Sequence, residues 1–447
     1  MPNAEQTRCD PEEARRVYDE RCGRTLDTAL NQTPLYKAWR SLDPGPGTSI
    51  DERYRALPIL TKDDIRAGFP YNVVPNGLDL DSALARGEVS FVRTSGTSDE
   101  ALQNIWNQRW WDESEHFSWK LNSVASRVAT GAHPEAILAS ALSVGQRSSG
   151  KPLDRHTRTL GRFLFLNEYG RTNEWPEGHE KRILAELADF QPAVLEANPS
   201  LLARVARYAH RTGAFAWQPA LIVFTYEFIS AFHLRDIRRV WSSPTASSYG
   251  STEAGYVFMQ CEHGNLHQNT DSCRVDLVPL GETAGTFAKE GEPGPDSVGK
   301  ILATTFGNEW FPLVRFEVGD VGRVAREPCL CGRRFGLTLS AIEGRIKSLL
   351  VARGRWVTHR EVDLALSRVE GLELYRCDQD APDEVHLAVV PEPGAGKSAA
   401  REAQEVLFGI FGDTVRVDVT IVQELFPELS GKFLLAHRSF DVEALHV

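Results

Sequence analysis

The chain has 447 residues, 42 % of them apolar and 25 % charged, and a net charge of −11. That is the composition of a soluble globular protein of two or three domains. With no basic block it excludes non-specific affinity for nucleic acid or anionic membranes, which need clustered Lys and Arg.

The stretch Met1 to Asp19 is charged throughout and lacks the pattern of a signal peptide. No apolar run reaches bilayer-spanning length, so a cytoplasmic location is expected. Residues 11–30 read as a helix with Pro11 in its first turn. Residues 57–64 read as a short extended stretch that ends in a helix cap at Thr61. Residues 87–94 alternate like a strand and run into Thr94-Ser95-Gly96-Thr97-Ser98. From 135 to 225 apolar segments alternate with amphipathic helices: strands near 136–139, 163–166, 192–196 and 220–224, helices near 178–189 and 200–212. The unbroken apolar run Ala220 to Phe224 suits a buried parallel strand, and the pattern predicts an α/β domain. Residues 281–300, rich in Gly, Glu and Pro, predict a loop or hairpin, with strands returning at 300–305 and 313–317. Beyond a boundary at Gly344-Arg345-Ile346-Lys347 the pattern becomes a small α+β unit. It reads as a hairpin at 348–357, a helix at 359–368, strands at 372–377 and 384–390, a helix at 399–411, a strand at 415–422 and a tail.

Tyr249-Gly250-Ser251-Thr252-Glu253 supplies an aromatic face, a backbone joint, two hydroxyls and a carboxylate within five residues. That set suits a nucleotide: a ring for adenine, hydroxyls and N–H groups for phosphate oxygens, and Glu253 for Mg²⁺. Thr94 to Ser98, hydroxyl-rich and built on a glycine after a strand, reads as a phosphate loop. Arg315 to Asp320 ends a strand on Gly-Asp, where a carboxylate can accept both ribose hydroxyls. Two lysine-glycine stretches fall short of a Walker pattern. After Gly145 to Lys151, Pro152 stands where the metal-binding hydroxyl belongs; before Gly396-Lys397 the first glycine is replaced by Pro391. Both read as surface loops. No Gly-x-Ser-x-Gly elbow appears. Cys261-x5-His267 and Cys329-x-Cys331 supply three thiolates and an imidazole, the tetrahedral complement of a structural zinc, with Cys273 and His263 as spare candidates. Cys9, Cys22 and Cys377 read as structural thiols.

Taken together and in order, Leu57 to Asp64, Thr94 to Thr97, Glu227, Tyr249 to Glu253, Arg315 to Asp320, Gly344-Arg345 and Ser430-Gly431-Lys432 resemble the adenylate-forming, acyl-CoA synthetase superfamily. The resemblance is to its phenylacetate–CoA ligase branch and covers nearly the whole chain. It implies a large α/β AMP-binding domain, 1–345, and a small mobile lid domain, 346–447, hinged at 345–347. It implies ATP and Mg²⁺ as reactants, an aryl or arylacetic acid as substrate and CoA as acceptor. An amine, another nitrogen nucleophile or a carrier-protein thiol is the alternative acceptor, and a homodimer is compatible with it. By residue, Thr94, Ser95, Gly96, Thr97 and Ser98 would hold the phosphates. Tyr249 would pack on adenine within the nucleotide segment Gly250, Ser251 and Thr252, joined by Glu227. Glu253 would bind Mg²⁺. Asp320 would hold the ribose, assisted by Arg345. Lys432 would reach from the lid to the reacting carboxylate and α-phosphate. The acid pocket is expected between residues 135–145, Tyr226-Glu227 and Ser247-Ser248. The chain departs from the family in two places. The phosphate loop continues Asp99-Glu100-Ala101 where Gly-x-Pro is usual. After the hinge the run is Gly354-Arg355-Trp356-Val357-Thr358-His359 where Gly-x-Asn-Val-Phe-Pro is usual.

Overall fold

The computed structural model describes residues 11–93, 102–288, 293–428 and 431–442. The expected phosphate loop Thr94 to Ser98, the Asp99-Glu100-Ala101 departure, Cys9 and Ser430 lie outside them. The first helix, Pro11–Gln32, buries Tyr18, Cys22, Leu26 and Ala29, a stripe at helical spacing. Tyr18 meets Phe306 and Phe335 edge-on, at ring distances of 5.8 and 5.3 Å. Thr61 caps the helix Lys62–Arg66 as expected, through a capping box with Asp64.

Most of the chain up to Arg345 is organised by a 12-stranded sheet. From one edge its strands are Cys273–Pro279, Val298–Thr305, Phe316–Val324, Thr338–Arg345, Leu266–Gln268, Gly255–Gln260, Thr245–Ser251, Leu221–Phe224, Val194–Ala197, Glu135–Leu138, Phe163–Phe165 and Thr159–Leu160. The run from Thr245–Ser251 to Phe163–Phe165 is parallel; the rest is antiparallel. Val194–Ala197 and Leu221–Phe224 are buried at every position, because helices cover both faces. On one face the helix Pro199–Thr212 packs Leu202, Val205 and Ala206. On the other, the helix Gln108–Trp119 lays Trp119 on Val194, Leu221, Val223 and Ala246. The Gly319-Asp320 expectation needs a correction. Asp320 is not past a strand end but inside Phe316–Val324, at a shift of register where Gly319 takes φ +98°. That bulge sets Asp320 directly opposite Arg345.

After Arg345 the chain builds a separate sheet. The hairpin Leu350–Ala352/Arg355–Val357 closes through Arg353-Gly354, both with positive φ (52° and 76°), as a two-residue turn requires. Four strands follow in the order Arg416–Ile421, Glu384–Pro391, Leu372–Ala381 and Ala436–Arg438. The helices His359–Leu366 and Gly396–Phe411 pack on them. The tail after residue 422 therefore supplies a strand that the sequence pattern did not show. It pairs in parallel with Leu372–Ala381. No helix among the described residues is long and apolar enough to cross a membrane.

The two units meet at Asp363. Its carboxylate accepts the Ser230 hydroxyl at 2.6 Å, the Ala231 N–H at 2.7 Å and the Tyr375 hydroxyl at 3.2 Å. Phe232, from the large unit, sits in the small unit's core against Tyr375. Replacing Asp363 with alanine leaves these buried donors without an acceptor. Asp363→Ala is expected to destabilise the protein by about 1–3 kcal/mol, read as a lowered urea midpoint.

Candidate active site

The Tyr249 to Glu253 segment closes the hairpin between Thr245–Ser251 and Gly255–Gln260. The backbone pinches so closely that a Cβ on Gly250 would lie 2.1 Å from the Gly255 carbonyl oxygen, so only glycine fits. The Tyr249 hydroxyl donates to Asp320 at 3.0 Å. Burial and the adjoining carboxylate push that hydroxyl well above its ordinary pKa. On its other side Asp320 lies 3.8 Å from Arg345 Nε. The Ser251 hydroxyl accepts the Ala254 N–H, and Thr252 is half-buried beside it. Glu253 is buried, and its Oε1 takes part in no hydrogen bond. That oxygen lies 3.6 Å from Lys62 Nζ. A buried carboxylate oxygen left open in this way fits a divalent cation. Lys62 went unassigned from the sequence although it stands in the Leu57 to Asp64 motif, because its partner lies far along the chain.

The small unit's tail enters from above. Gly431 holds φ +80° with its backbone against the large unit; a Cβ there would meet Ser140 Oγ at 2.3 Å and the Gly170 carbonyl oxygen at 2.7 Å. Lys432 follows, half-buried. Burial pushes its ammonium below the ordinary lysine value, with Arg345 acting the same way; Asp320, Glu227 and Glu253 pull in the opposite direction. Phe433 N–H then donates to Glu227 Oε2 at 3.1 Å, while Glu227 Oε1 accepts the Ser200 N–H at 2.8 Å. Thus Lys432, Glu253, Asp320, Arg345, Tyr249 and Glu227, scattered over more than two hundred residues, converge on one cleft. Glu227 spends both carboxylate oxygens on backbone donors and so acts on the tail.

A second constellation lies further along the same sheet. Cys261 Sγ is 3.6 Å from Cys329 Sγ, and Cys331 Sγ is 3.2 Å from His267 Nε2. All four ligand atoms lie within 4.8 Å of one another, the spacing of a four-coordinate site with metal–ligand bonds of about 2.0–2.3 Å. The other ring nitrogen, His267 Nδ1, is 3.3 Å from Thr338 Oγ1, which orients the imidazole. Cys273 is buried elsewhere, against the Val257 and Asn269 carbonyls. Lys151 and Lys397 are exposed, in keeping with the surface-loop reading.

No family model matches the chain. Phenylacetate–coenzyme A ligase of Thermus thermophilus is 24 % identical over 365 residues, which span 79 % of this chain and 75 % of the relative. Among solved structures, 2-hydroxyisobutyryl-CoA ligase in its postadenylation state superposes with a TM-score of 0.71 at 18 % identity, covering 100 % of this chain and 95 % of that one. The same ligase in its thioesterification state gives 0.57 at 17 % identity over the same shares. The amide bond synthetase McbA of Marinactinospora thermotolerans gives 0.52 at 14 % identity, over 88 % and 82 % of the two chains. With its large mixed sheet and small C-terminal sheet the chain has the fold of these adenylate-forming ligases, and it resembles the Thermus relative in sequence across most of its length.

Proposed function

We propose that this protein activates a carboxylic acid with ATP as acyl-AMP and then transfers the acyl group to CoA. The observation that carries the reading is Lys432. Its ammonium is drawn into a cleft with Glu253, Asp320, Glu227 and Arg345 by a tail from the other unit. In the first half-reaction a carboxylate oxygen of the acid attacks the α-phosphorus of ATP. A P–O bond forms, and the bond from that phosphorus to the pyrophosphate oxygen breaks. Negative charge develops between the acid, the α-phosphate and the leaving pyrophosphate, where the Lys432 ammonium acts mainly on the transition state. Glu253 would hold Mg²⁺, which supplies charge neutralisation on the phosphates when bound. Asp320 would take the ribose hydroxyls with Arg345 beside it. Tyr249, tethered to Asp320 through its hydroxyl, would present its ring to adenine. Gly250, Ser251 and Thr252 would line the nucleotide, and Thr94 to Ser98 would hold the phosphates. Glu227 would position Lys432 by gripping the Phe433 N–H.

The small unit, 346–447, would then turn about residues 345–347 and carry Lys432 away. The nearer likeness to a postadenylation arrangement than to a thioesterification arrangement of one ligase supports reading the present state as the first of the two. CoA as acceptor rests on the relatives. One observation favours a nitrogen nucleophile instead. Arg355, in the departing segment, is spent on Glu361 at 2.6 Å, and Trp356 packs against Arg438. Both partners belong to the small unit and travel with it, so neither cation is released to meet CoA phosphates. Product analysis with CoA or with an amine, after acyl-AMP has formed, separates the two.

Lys432→Ala is expected to lower acid-dependent ATP–pyrophosphate exchange by about 10²–10³-fold with a smaller change in ATP affinity. Transfer from supplied acyl-AMP should survive. Equal exchange rates in variant and parent would refute the assignment. For the metal we infer structural zinc on Cys261, His267, Cys329 and Cys331, since four protein ligands leave no open position. Elemental analysis of protein purified without added metal should give about one zinc per chain, and chelation should lower the melting temperature.

A further inference from the structure

Between the sheet and the helix Gln108–Trp119 stands a cluster of carboxylates with an unusual charge balance. Glu135 and Glu196 share one sheet face, since Glu135 pairs with Val194 and Ile137 with Glu196, and Val194 is on the face packed by Trp119. Glu115 descends from the helix. Glu135 is satisfied: Arg162 Nη1 is 2.6 Å from its Oε2 and His133 Nε2 is 3.1 Å away. Glu115 and Glu196 make no ion pair among the described residues. Each is held only by a tyrosine hydroxyl, Glu115 by Tyr256 at 2.9 Å and Glu196 by Tyr226 at 2.5 Å.

Two further observations point to a ligand. Ser248, 6 % exposed, lies one step above Ala246 on that same face, and its Oγ has no hydrogen-bond partner. Ile137 sits between Glu135 and Leu138 in a central strand, yet it keeps accessible surface, as do Glu115, Tyr226 and Tyr256 around it. Space is therefore left where a closed core would have none. The crevice also abuts the reaction centre. Tyr226 is followed directly by Glu227, which grips the tail of Lys432.

Resting on the acid-activation reading, we propose that the acid carries a protonated amine at the end remote from its carboxylate, received between Glu115 and Glu196. An apolar end group there would leave two buried carboxyls without a counter-charge, whereas an ammonium supplies it. Glu115 is pushed up to about 7, first by burial and then by Glu135, with Tyr256 and Arg162 opposing and Asp112 reinforcing. Glu196 is pushed up to about 8, first by burial and then by Glu135 and Glu115, with Tyr226 and Arg162 opposing. His133 also faces Glu135. The empty crevice therefore holds protons near neutrality, and an arriving ammonium displaces them. Affinity for such an acid rises as pH climbs through about 7 to 8, by at most about tenfold per unit for each proton released.

The test uses isosteric pairs: 4-(aminomethyl)phenylacetate against 4-ethylphenylacetate, and 5-aminopentanoate against hexanoate. Binding is read by calorimetry on the full chain without ATP, and activation by pyrophosphate exchange. The amino member of at least one pair should bind about tenfold or more tighter than its isostere. Its KM should fall from pH 6 to 8 while that of the isostere stays level. Glu196→Gln, which keeps the shape and removes the charge, should abolish both the preference and the pH dependence. Equal or weaker binding of both amino members in the parent protein overturns the proposal. A preference that persists undiminished in both Glu196→Gln and Glu115→Gln overturns it too. Absence of exchange with every acid overturns the acid-activation reading, while the calorimetry still decides whether the crevice selects an ammonium.

Discussion

The cleft depends on one close approach: the backbone of Gly431 against Ser140 and Gly170. No side chain fits there, and the left-handed φ suits glycine. This contact sets how far the tail enters, and Lys432 is the next residue. Carboxylates of Asp320, Glu227 and Glu253 would repel a nucleotide if they stood alone. Lys432, Arg345 and Lys62 bring the cleft near balance. The phosphates of a bound ATP would add negative charge that this set does not cover, and Glu253, whose Oε1 makes no hydrogen bond, is where a divalent cation would make up the difference.

The sequence announces the fold well where periodicity is strong. The helix at 11–32, the apolar strand at 221–224 and the capped helix at 62–66 all follow their patterns. Asp320 was legible as a residue but not as a position. A bulge in a strand is made by the partner strands, and Gly319 looks the same in a turn and in a bulge. The strand Ala436–Arg438 is three residues long and pairs in parallel with a distant strand, so local pattern carries no sign of it. Among site residues, those in short motifs were visible together. Lys62, Glu115 and Glu196 were not, because each takes its meaning from a partner on another element.

The zinc-type cluster and the nucleotide cleft share the sheet that joins them. His267 pairs with Thr338 in the strand that runs on to Gly344 and Arg345. Fixing Cys261 and His267 to Cys329 and Cys331 would pin the loop between Phe316–Val324 and Thr338–Arg345, the two strands that carry Asp320 and Arg345. A closed metal site at that end of the strands would hold the register on which the opposition of Asp320 and Arg345 depends. A one-residue slip would turn one of them to the other face.

Tyr226 and Glu227 join the two halves of the site. Tyr226 has φ +76°, a conformation costing on the order of 1–3 kcal/mol for a residue with a side chain, which persists only where the surroundings hold it. It is held from both sides: its hydroxyl by Glu196 in the crevice, and the next residue by Ser200 and Phe433. Consecutive side chains thus take different partners, one Glu196 and one the tail. A ligand that draws Glu196 out of its bond with Tyr226 removes one of the restraints on that strained turn. The Glu227 carboxylate that holds the Phe433 N–H sits on the same turn, and so does the placement of Lys432. Under the proposed reading, occupancy of the crevice and entry of the ammonium would thus bear on neighbouring residues of one turn.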